Sequence, residues 1–153
     1  MFSQLKHYSA MGLVYVILVF LGALGLELAE GMNVKTTEYY GLMNLGGMYY
    51  AILFFFTCVP AVLVYVLAIV PLSVLLRRGG YGMFLLRTAI FIGIGGIAGR
   101  VLFYGNFQDH LISEYGLKEL TAVVIFGACG LAYSLIDSVL ASRASWLPRK
   151  SRL

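Results

Sequence analysis

Charge is what this chain has least of. Only 12% of its 153 residues are Asp, Glu, Lys or Arg, where a soluble domain carries about 25%. So few charges cannot cover a globule, and a soluble domain is excluded. Cysteine and histidine are scarce too. Cys58 and Cys129 stand far apart in apolar runs, and His7 and His110 have no Cys partner nearby. No zinc or thioredoxin-type site is expected, and both cysteines are read as small packing residues. No nucleophile–base pair, paired carboxylates or ligand cluster is visible, so neither enzymatic chemistry nor a cofactor is expected.

What is there is hydrocarbon. The chain is 61% hydrophobic, with a mean hydropathy of +0.90. Long apolar runs between short polar stretches predict an all-α, polytopic integral membrane protein with one membrane domain, a four-helix transmembrane bundle. Residues 10–26 carry no charge and lack a clean cleavage site after them, so a retained first span is favoured over a signal peptide. Residues 41–76 are also uncharged and exceed the length of one span. The predicted spans are about 8–28, 45–69, 83–104 and 120–141. The second is expected to kink at Pro60 and to end in an interfacial turn, PLSVLL, after Pro71. Re-entrant half-helices are the less favoured alternative, because few polar groups are available to satisfy a broken backbone. The outer loops are then about 29–44 and 105–119, the cytoplasmic loop about 70–82, and the tail 142–153.

Orientation follows from the basic residues. Lys6, Arg77, Arg78, Arg87, Arg143, Arg149, Lys150 and Arg152 fall on one side, against Lys35, Arg100 and Lys118 on the other. The positive-inside rule predicts both termini in the cytoplasm, N-in and C-in. Tyr39, Tyr40, Tyr104 and Tyr115 fall near the outer interface, Tyr8 and Tyr81 near the inner one, and Trp146 just past the fourth span. The net charge of +4 is read as an anchored cytoplasmic face suited to anionic lipid, not as a nucleic-acid site.

The stretch IGIGGIAGR (residues 92–100) fits G-x-G-x-x-A through Gly93, Gly95 and Ala98, with Glu114 placed like a ribose-binding acid. A dinucleotide turn must follow a strand and face water, whereas this stretch lies in the outer half of the third span. The glycines are therefore read as helix-packing residues. Gly95 and Gly99 are four apart, as are Ala89 and Gly93, and Gly93, Gly96 and Gly99 step by three. Gly22 and Gly25 in the first span, and Gly127 and Gly130 in the fourth, supply further small faces. The third helix is expected at the centre of the bundle.

Ionisable residues inside a membrane are the first place to look for function. Arg87 and Asp137 lie at similar depth near the inner ends of the third and fourth spans. Glu27 and Arg100 match in the same way at the outer side. Two interfacial ion pairs are the favoured reading, and a proton or cation site at Glu27 or Asp137 the other. Thr57, Ser73, Thr88 and Ser134 are the nearby polar residues, and they look scattered. A metal at Asp109, His110 and Glu114 is not expected, because no ligand spacing is satisfied. His7 suggests no role.

VPLSVLLRR (residues 70–78) closing the second span, and SLIDSVLASR (residues 134–143) closing the fourth, resemble small uncharacterised four-span membrane proteins of Gram-positive bacteria. That resemblance implies topology and no activity. The first-helix glutamate of small multidrug transporters, the glycine-rich first helix of fluoride channels and the D-x-x-G-x-x-A-R array of alcohol phosphotransferases are not matched. The expected function is that of a non-enzymatic accessory, regulatory or immunity-type protein acting through helix contacts with another membrane protein or a second copy. The alternative is a small oligomeric transporter or pore using Glu27 or Asp137.

Overall fold

The computed structural model describes residues 2–76 and 81–145, and among them every regular element is helical. The chain forms α1 (Phe2–Ala29), a 3-10 turn (Gly31–Asn33), α2 (Leu42–Leu45) and α3 (Gly47–Val64). A π-helical segment (Tyr65–Ile69) then leads directly into α4 (Val70–Leu76), and α5 (Tyr81–Asn106), α6 (Asp109–Tyr115) and α7 (Glu119–Ser145) follow. Four helical runs are long and apolar enough to cross a membrane: Lys6–Asn33, Gly47–Leu76, Gly82–Asn106 and Glu119–Ser142. They alternate in direction. One end of the bundle carries the start of α1 and the end of α7, and is called the termini end. The other carries α2, α6 and the 3-10 turn, and is called the loop end. Arg77, Arg78, Trp146, Arg149, Lys150 and Arg152 lie outside the described residues.

The tightest packing joins α5 to α7. A Cβ added at Gly95 would strike the carbonyl of Phe126, one at Gly99 the carbonyl of Ala122, and one at Gly130 the carbonyl of Phe91. Each step of four along α5 is matched by a step of four back along α7. Glycine is required at these positions because a backbone, not a side chain, fills the space. The other small residues named from the sequence meet side chains or nothing, not a facing carbonyl in close contact. Gly96 faces Val123, Gly25 faces Ile125, Gly127 faces Ile92, and nothing lies near Gly93. Gly22 sits tightly under Phe126 and Cys129.

Two sequence expectations are corrected. First, the centre of the bundle is shared by α7 and α1, not held by the third span. α7 packs on α5 through one side and on α1 through another, and α1 in turn packs on α3. α5 has only one such seam, and its Gly93 side is unpartnered. Second, PLSVLL is not an interfacial turn, since the helix continues through Pro60 and Pro71 to Leu76. A proline ring clashes with the carbonyl four residues back. The π segment ends two residues before Pro71, with the Val70 N–H bonded to the Tyr65 carbonyl. That wider turn relieves the crowding, so the helix need not stop.

Two apolar cores hold the ends together. At the loop end, Leu26, Tyr39, Tyr49, Phe103, Phe107, Leu111 and Phe126 are buried together, with Tyr39 stacked on Phe107 at 5.4 Å. α6 is folded onto this core by Gly116. Its φ of +63° lets the Gly116 N–H return to the Ile112 carbonyl, and the Leu117 N–H bonds the same carbonyl at 3.2 Å. At the termini end, Met11, Tyr65, Ile69, Phe91 and Tyr133 form the second core. Tyr65 lies over Gly12, where a Cβ would approach its ring to 2.8 Å.

The seam predicts a contrast between two glycines. Gly99→Ala should destabilise by about 1–3 kcal/mol, because a backbone carbonyl cannot move aside. Gly93→Ala should be neutral or gain up to about 1 kcal/mol of helix propensity. Unfolding midpoints of the purified protein in detergent test this, and equal midpoints would contradict the seam.

Candidate functional site

Asp137 is the hub of the termini end. It is buried on α7, and its two oxygens are shared between neighbours. Oδ1 meets His7 Nε2 at 2.7 Å, and Oδ2 accepts from Arg87 Nη1 at 2.8 Å. Arg87 Nη2 donates to Ser138 Oγ and lies 3.4 Å from the Ser134 carbonyl. Three helices therefore converge on one carboxylate: α1 through His7, α5 through Arg87 and α7 through Asp137 itself. The expected Arg87–Asp137 pair is formed.

The polar residues around it are gathered, not scattered. Thr88 Oγ1 donates to the Phe84 carbonyl at 2.9 Å. Its one proton is then used, so it accepts from Ser134 Oγ at 2.8 Å. Ser138 returns to the Ser134 carbonyl at 2.8 Å. The long second helix adds Tyr65, whose hydroxyl donates to the Tyr8 carbonyl at 2.6 Å. It also adds the buried Ser73. Among the described residues, Ser73 Oγ and Arg87 Nε are buried without a hydrogen-bond partner. Thr57 remains apart and bonds the Leu53 carbonyl at 2.6 Å. Sequence spacing hid this cluster because its members come from four helices. Depth counting, which matched Arg87 to Asp137, would also have placed His7 beside them.

The expected outer pair does not form. Glu27 and Arg100 are on helices separated by α7. Arg100 Nε meets Glu119 Oε1 at 3.0 Å in an exposed pair, and Tyr104 donates to the other Glu119 oxygen at 2.6 Å. Glu27, only 2% exposed, turns the other way. It accepts from the Tyr39 hydroxyl and from the Leu42 N–H at 2.6 Å. Burial, and then the neighbouring Glu27 carboxylate, hold the Tyr39 hydroxyl protonated well above the ordinary tyrosine range. Gly31 and Gly41 leave room for the Glu27 carboxylate, since a Cβ on either would overlap it.

Glu30, three residues on, was not singled out from sequence. Its carboxylate accepts from the Lys118 N–H at 3.1 Å and from the Thr121 hydroxyl. It therefore caps the start of α7 from the turn that follows α1, where an acid also suits the positive end of the helix dipole. The two acids of LELAEG divide the labour, with Glu27 holding the first loop and Glu30 the second. In the second loop, His110 lies 3.8 Å from Glu38, both exposed, a contact of little energetic weight.

A cavity lies between the two cores. It has a volume of about 220 Å³ and is walled by α3 and α5, with α1 and α7 as its floor. Neither Glu27, Asp137 nor Arg87 lines it. No protein-family model matches the chain, and neither a curated protein nor a solved structure matches it significantly.

Double-mutant cycles separate the two ionic arrangements. Asp137→Asn and Arg87→Gln should couple by about 1 kcal/mol or more, and Asp137→Asn with His7→Gln should couple as well. Glu27→Gln and Arg100→Gln should be additive within about 0.5 kcal/mol. Unfolding free energies of the four backgrounds in each cycle measure this, and coupling only in the Glu27–Arg100 cycle would invert the assignment.

Proposed function

We propose that the chain is a multi-pass protein of the cell membrane with both termini cytoplasmic. It works without enzymatic chemistry, as an accessory, regulatory or immunity-type protein that binds within the bilayer. The orientation rests on the excess of basic residues that the sequence places in its terminal segments and in the loop after the second span, while Glu27, Glu30, Glu38, Asp109, Glu114 and Glu119 gather at the loop end.

One observation carries the functional reading. Each buried acid spends its oxygens on donors of its own chain, while the cavity between the helices is mostly apolar and none of these acids lines it. Acids used in this way orient helices and loops, and what is left to interact is hydrocarbon surface. A second reading, a small oligomeric transporter using Asp137, is favoured by the polar cluster that surrounds that residue with groups from several helices.

Crosslinking of the full-length protein in native membranes, followed by mass spectrometry, distinguishes the two. The accessory reading expects a foreign membrane protein in stoichiometric amount. Self-crosslinks alone, together with ion flux in liposomes that Asp137→Asn abolishes, would replace it with the transporter.

A further inference from the structure

We draw no further inference here: the strongest candidate, the buried cluster of His7, Arg87 and Asp137 at the termini end, where Ser73 Oγ and Arg87 Nε are without a hydrogen-bond partner among the described residues, belongs to the site already described and adds nothing to the second reading given for it.

Discussion

The backbone-to-backbone contact of α5 with α7 constrains everything else. Helices in lipid gain little from burying apolar surface, so close approach has to supply the attraction. Gly95, Gly99 and Gly130 permit that approach, because each leaves its space to a carbonyl of the facing helix. Once the two backbones lock, Arg87 stands beside Ser134 and Asp137. The same register sets Arg100 beside Glu119.

Buried carboxylates then secure what the seam leaves loose. Asp137 draws α1 in through His7 and holds α5 through Arg87. At the loop end, Glu27 near the end of α1 and Glu30 just past it fasten different loops. An unpaired buried charge is expensive, so each of these acids enforces its arrangement. The free energy lost if a donor moved away is what makes the contact specific. This division of roles explains a bundle that is ordered at both ends and open in the middle.

Much of this was legible in the sequence, and the failures have physical causes. The four long helices follow from uncharged runs, and depth matching found the Arg87–Asp137 pair. The same matching failed for Glu27 and Arg100, because equal depth says nothing about which helix lies between. The third span looked central because it is richest in glycine. A small face shows that one neighbour comes close, not how many neighbours there are, and Gly93 faces none. Pro71 read as a stop because a standard α-helix cannot absorb its ring, whereas the π turn before it can. Ser73, Thr88 and Ser134 looked scattered because contacts among four helices leave no spacing in a linear chain. Glu30 was passed over because a cap supplied from a distant turn of the chain has no local signature.

The register of α5 against α7 is the most direct test of this account. Cysteine pairs would be introduced into a protein with Cys58 and Cys129 replaced, and disulfide formation followed under mild oxidation in membranes. Ile92 lies against Gly127, and Gly96 against Val123. The pairs 92/127 and 96/123 should therefore crosslink readily, while 92/123, one helical turn out of step, should not. Efficient crosslinking of 92/123 with failure of the two matched pairs would contradict the seam and every contact that depends on it.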